Sequence, residues 1–213
     1  ALTGQSVKRK EDPRFITGKG RYTDDLVLPN QCYAHFVRSP VAHAIIKKIE
    51  VGELASQPGV RKILTGKDYA KSGLGTLMCG WMIHSKDGSE MKSGLHPPLV
   101  LERARYVGDP IAVVIADSKE IARTIAESIE IEYEELEVIT LSNVYEKKTI
   151  IHDIAENNIA FDWELGDPKA VKEAESSSKY QIPLRLYNNR LAPNAMETRC
   201  LNASYDERDD RYT

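Results

Sequence analysis

Five histidines, three cysteines and one dense run of glutamates offer the most chemistry in this sequence. His35, His43, His84, His96 and His152 stand apart. None pairs with another His, a Cys or a carboxylate at metal-ligand spacing. Each therefore reads as a side chain satisfied by backbone rather than as a ligand or a base. Cys32, Cys79 and Cys200 are odd in number, widely spaced and without a C-x-x-C pair. That argues against a disulfide framework and a structural zinc site, and for a reducing, cytoplasmic compartment. Glu130, Glu132 and Glu134, with Glu135 and Glu137 behind them, resemble paired acid and base groups. They alternate, however, with Ile129, Ile131 and Tyr133. On a strand that alternation puts the three carboxylates on one solvated face.

Other chemistry-bearing patterns are missing or weak. No G-x-G-x-x-G opens a helix after a strand, and there is no Walker A, H-E-x-x-H or G-x-S-x-G motif. Gly18 and Gly20 form a lone pair that reads as a turn. Trp81, with Met78, Met82 and Ile83, reads either as a binding lip or as a plug covered by another domain. Glu197 and Arg199 flank Thr198 and suit an ion pair or an interface better than catalysis. Residue chemistry alone assembles no complete catalytic constellation.

The background composition is that of a folded chain. Of 213 residues, 41% are hydrophobic and 29% charged, and 29 basic against 32 acidic side chains give a net charge of -3. No basic field attracts nucleic acid or anionic lipid. No apolar run approaches the ~20 residues of a membrane span, and the N-terminus lacks the apolar core of a signal peptide.

The elements that must carry these residues follow from periodicity. Residues 1–30 read as a surface-hugging lead-in anchored by Phe15, Ile16, Tyr22 and Leu26. Strands are expected at 32–38, 45–51, 60–65, 105–107, 111–116 and 129–136. Short helical turns fit 53–57 and 67–71. A helix over 118–129 places Ile121, Ala122, Ile125 and Ala126 on one face, with Ser118 near its start. Residues 72–98 form a long Gly- and Ser-rich loop. Beyond a linker, a strand at 161–165 precedes a helix capped by Asp167 with Pro168 in its first turn. Strands at 180–187 and 200–205 lead to a hairpin turn at 206–210. Residues 211–213 then begin a return strand, so the chain is expected to stop inside a strand.

Six ordered stretches carry a family resemblance. They are Arg9-Lys-Glu-Asp-Pro-Arg-Phe-Ile-Thr-Gly-Lys-Gly-Arg-Tyr-Thr-Asp-Asp25, Val37-Arg-Ser-Pro-Val-Ala-His-Ala44, and Gly59-Val with Leu64-Thr-Gly66. They continue with Arg105-Tyr-Val-Gly-Asp-Pro-Ile-Ala-Val-Val-Ile-Ala116, Phe161-Asp-Trp-Glu-Leu-Gly-Asp167 and Asn188-Asn-Arg-Leu-Ala-Pro-Asn-Ala-Met-Glu-Thr-Arg199. Their order and spacing over nearly the whole chain resemble the N-terminal part of the large subunit of molybdenum hydroxylases. That family comprises xanthine dehydrogenase, aldehyde oxidase and aerobic carbon monoxide dehydrogenase, and the style is nearest the last.

The resemblance implies an α+β fold: an α/β-hammerhead domain followed by the first elements of the molybdopterin-binding domain. The implied divisions are a lead-in at 1–14, the hammerhead at 15–137, a linker at 138–160 and a truncated molybdopterin-binding start at 161–213. In the complete family enzyme, water-derived oxygen enters a carbon centre. Molybdenum accepts two electrons and passes them through iron–sulfur clusters to FAD on partner chains. The expected partners are thus the rest of the large subunit, an FAD-binding medium subunit and an iron–sulfur small subunit. The family's cofactor-contacting glutamine, glycine-rich segment and late glutamate are expected beyond Thr213. No catalytic, cofactor-binding or metal-binding residue is therefore assigned here, and Glu197 matches a recurrent family position without a chemical role. Carbon monoxide, aldehydes, purines and N-heterocycles all remain open as substrates. A non-catalytic, stand-alone hammerhead scaffold or assembly module is the alternative reading.

Overall fold

A computed structural model describes residues 3–189, 191–195 and 197–213. Its chain separates into two compact units, Cys32–Gln181 and a second formed by Ala1–Gln31 with Ile182–Thr213.

The first unit is built around a dry strand. Strand β5 (Pro110–Ala116) follows β1 (Tyr33–Arg38), β2 (Ala44–Glu50), β3 (Val60–Thr65) and the two-residue β4 (Arg103–Ala104). Its apolar run leaves Ile111, Ala112, Val114 and Ala116 with no exposure. Buried backbone groups need partners, and β5 finds them on both edges. It pairs antiparallel with β1 and with β3 in the sheet β1-β5-β3. A second antiparallel sheet has the order β4-β2-β6, where β6 is Glu130–Glu135.

Helix α3 (Lys119–Glu127) packs on β1 and β5. Ser118 caps it by accepting from the Ile121 amide. Its buried Ala122 and Ala126 lie on the predicted apolar face. Val114, Ala126 and Ile129 make a core cluster, against which Val37 and Ile63 pack from one sheet and Ile49 and Ile131 from the other. The cluster therefore joins the two sheets. Strand β6 alternates as its sequence demands, with Glu130, Glu132 and Glu134 exposed and Ile131 and Tyr133 half-buried.

Helix α2 (Gly66–Lys71) starts where the backbone passes Val100 closely. A Cβ on Gly66 would lie 2.0 Å from the Val100 carbonyl oxygen, so only glycine fits. Residues 72–98 are held by backbone bonds, both within the loop and to the 160–162 segment. Leu77 N–H donates to His96 O, Met91 N–H to Ile83 O, and Lys86 and Lys92 N–H to Asp162 O and Ala160 O.

Several expected strands are absent. Residues 161–165 take no strand pairing, because that stretch bonds to the 85–92 turn instead. The strand expected at 105–107 is displaced to Arg103–Ala104, since only Ala104 and Arg103 find partners on β2 and the Arg105 amide turns to the Asp109 carboxylate. Residues 180–187 alternate correctly but form no strand, for a ladder needs a neighbour and Pro183 removes one donor. Of 200–205, only Tyr205 is in a strand. Helix α4 (Pro168–Ser177) forms as expected, with Asp167 accepting from Lys169 and Ala170 amides.

The second unit has a five-residue helix, α1 (Asp12–Ile16), inside the predicted lead-in. Phe15 stacks on Tyr22 at 5.9 Å between ring centres. Ile16 is no anchor: at the helix end it is 83% exposed. Asn202 donates to Leu26 O and Gln31 Oε1, both at 3.4 Å. The predicted hairpin is present as β7 (Tyr205–Asp206) and β8 (Arg211–Tyr212), closed by Tyr205 Oη donating to Asp210 at 2.8 Å.

The core of the first unit yields a direct test. Ile111→Ala should destabilise the chain by about 2–5 kcal/mol in urea unfolding, as expected for a fully buried side chain. Leu184→Ala, at an exposed site, should stay within about 0.5 kcal/mol.

Candidate functional site

Two arginines two residues apart on an extended segment project to the same side. Arg103 and Arg105 do this at one wall of a cavity of about 950 Å3 in the Cys32–Gln181 unit. The opposite sides come from the 77–97 loop, including Leu77, Leu95 and His96, and from His152, Asp153 and Ile154.

The Arg105 side chain ties the walls together. Its Nε donates to Ile151 O at 3.0 Å and its Nη1 to Arg103 O at 3.2 Å, while its amide donates to Asp109 at 3.0 Å. Burial, then the nearby Arg103 charge, lowers the Arg105 pKa. Asp109 is itself buried. Burial first, and the Asp109 charge second, raise the Tyr106 phenol. Arg103 Nη1 meets Asp153 at 3.4 Å.

His152 packs against Gly94 of the loop. A Cβ on Gly94 would lie 2.3 Å from His152 Nδ1, so the ring occupies the space that any other residue would fill. Burial lowers the His152 pKa, and the Arg105 charge lowers it further. Asp153 acts in the opposite direction, and His96 and Arg103 add smaller lowering effects.

The remaining singled-out residues lie elsewhere. His43 is buried, with Nδ1 2.8 Å from Glu137 O, so one ring nitrogen is satisfied by backbone as expected. Its Nε2 is buried without a partner. Lys47 and Glu134 pair across the β2–β6 ladder on the solvated acidic face. Trp81 is 80% exposed and Met78 lies at the cavity rim. Glu197 and Arg199 are exposed. The three cysteines are exposed, with Cys79 Sγ donating to Trp81 O at 3.2 Å and Cys200 Sγ to Asp24 at 3.6 Å. Among the described residues, no helix is long and apolar enough to cross a membrane.

Sequence reasoning missed the grouping of Arg103, Arg105, His96 and His152. The Arg-Ala-Arg spacing was the one local signal. The rest of the cavity comes from segments up to 109 residues apart (Ile45 to Ile154).

A mixed α+β unit with this order of motifs defines a class. The chain belongs to the aldehyde oxidase and xanthine dehydrogenase family, whose a/b hammerhead domain matches residues 17–137. It is similar to the carbon monoxide dehydrogenase large chain of Hydrogenophaga pseudoflava, at 30% identity over 97% of this chain and 26% of that protein. It is similar to the nicotine 6-hydroxylase large subunit of Paenarthrobacter nicotinovorans, at 30% identity over 99% of this chain and 25% of the relative. Among solved structures, reconstituted CO dehydrogenase from Oligotropha carboxidovorans superposes with a TM-score of 0.66 at 27% identity, covering 83% of this chain and 22% of that one. The chain thus spans about a quarter of the length of the curated relatives it matches.

The depressed His152 gives a pH prediction. Its folded-state pKa lies below the unfolded value of about 6.5, so the unfolded chain binds the proton more readily. Stability is therefore full above that value and falls as the pH drops through it. The urea midpoint should decrease between pH 7.5 and 5.5, and His152→Gln should shrink that decrease. An unchanged decrease in the variant would contradict the assignment.

Proposed function

We propose that this chain is the N-terminal part of the large, molybdopterin-binding subunit of a molybdenum hydroxylase oxidoreductase. Its role is scaffold and subunit contact rather than bond chemistry. The observation that carries the reading is the family match over 17–137, joined to similarity with two large-subunit relatives across nearly the whole chain. Residues 15–137 act as the hammerhead domain, 138–160 as a linker and 161–213 as the start of the molybdopterin-binding domain.

The molybdenum cofactor is held by residues outside this segment. Bound in the complete subunit, the cofactor supplies the two-electron oxidation. FAD and iron–sulfur clusters reside on a medium and a small partner subunit. Three widely spaced cysteines without a C-x-x-C pair suit work in the cytoplasm. Exposed Ile182, Leu184, Leu186 and Leu191, each 77–88% accessible, suit cover by the rest of the large subunit.

Affinity purification from the native host through a tag on this chain is the test. The complex should contain stoichiometric molybdenum, flavin and iron–sulfur absorbance. The isolated 213 residues should contain no molybdenum. A native complex without all three groups, or stoichiometric metal in the isolated chain, would refute the reading.

A further inference from the structure

The cavity of the Cys32–Gln181 unit has features a scaffold does not need. At about 950 Å3 it lies within the range of ligand sites, which run to ~1,000 Å3. It sets Leu77, Leu95 and Ile154, all more than half exposed, beside Arg103 and Arg105. Exposed apolar walls next to sheltered cations suit a ligand with an apolar body and a negative end.

The acids at the cavity sharpen the choice. Asp109 is buried and already accepts from the Arg105 amide. Glu102 is exposed. Asp153 is 83% exposed, whereas the Arg103 side chain is only 27% exposed, and their contact is 3.4 Å. A charge-assisted N–H···O bond usually measures about 2.7–2.9 Å, so Asp153 holds Arg103 loosely and from the solvent side. A carboxylate ligand could take both guanidinium donors of that fork at shorter range. Three acids around the cavity disfavour a phosphate dianion, and two arginines disfavour a neutral ligand.

We propose that this cavity binds a small organic carboxylate, with its charge on Arg103 in place of Asp153 and its apolar body against Leu77, Leu95 and Ile154. Arg105 is a positioning residue: it ties the cavity walls through Ile151 O and Arg103 O and adds a second positive charge. The site stands on this chain's own residues and does not depend on the hydroxylase reading.

Titration calorimetry of the 213-residue chain with benzoate, benzamide, acetate and phenyl phosphate tests it. Benzoate should bind at least ~10-fold tighter than neutral benzamide or bodiless acetate, a difference of about 1.4 kcal/mol or more. It should also bind tighter than phenyl phosphate. Arg103→Gln should weaken benzoate at least ~10-fold, with Arg103→Lys between it and the parent. Asp153→Asn, at an exposed side chain, should tighten benzoate about 2–5-fold by removing the competing acid. Benzamide binding as well as benzoate, phenyl phosphate binding better, no benzoate binding, or benzoate weakened by Asp153→Asn would each overturn the proposal.

Discussion

Ala112, Val114 and Ala116, on one face of the strand, are sealed from water, and so is Ile111, which alternation places with Val113 on the opposite face. A strand dry on both faces cannot leave its amides and carbonyls to solvent. Each edge must be paired, and β1 and β3 supply the two ladders. One face must then be covered, and α3 does this with Ala122 and Ala126, small enough to let the helix approach closely. Ile49 and Ile131 bring the second sheet onto the same cluster. The unit is thus assembled outward from the pairing and burial of Pro110–Ala116.

The same strand fixes the cavity. Val100 N–H donates to Pro110 O at 2.7 Å, and Ser39 N–H to Asp109 O at 2.9 Å. These bonds hold the entry to β5, and the Asp109 carboxylate reaches back to the Arg105 amide. Arg105 then spans to Ile151, which brings the 151–154 segment opposite the 77–97 loop. A perturbed histidine and two arginines are thus placed by a rigid strand through one turn.

Local patterns made most of the first unit legible. Ile111–Ala116 announced a buried strand, the spacing of Ile121, Ala122, Ile125 and Ala126 announced α3, and the Glu–Ile alternation announced β6 with its solvated face. The same reasoning failed where the deciding partner was distant in sequence. Tyr180, Ile182, Leu184 and Leu186 have the alternation of a strand, yet pairing is a property of two segments and these residues find none among those described. The site was hidden for the same reason. Arg103 and Arg105 were visible as residues, but burial of His152 against Gly94 depends on a contact across 58 positions (94 to 152). His43 shows a partial success: one nitrogen meets backbone, while Nε2 is left without a donor. The family resemblance, carried by motif order rather than by any site, needed none of these contacts.

The two units differ in whether they hold a buried apolar core. In Cys32–Gln181 the apolar residues of β5 and α3 pack into a core; in the second unit, Ile182, Leu184, Leu186 and Leu191 are left in water. That contrast is what the proposed role as a large-subunit segment predicts, with a packed core in one unit and apolar side chains left for other polypeptide in the second. Native-state hydrogen exchange on the 213-residue chain tests it most directly. Amides of 111–116 and 122–126 should exchange only with global unfolding, and those of 182–187 should exchange at nearly the unprotected rate. Protection of 182–187 equal to that of 111–116 would contradict the account.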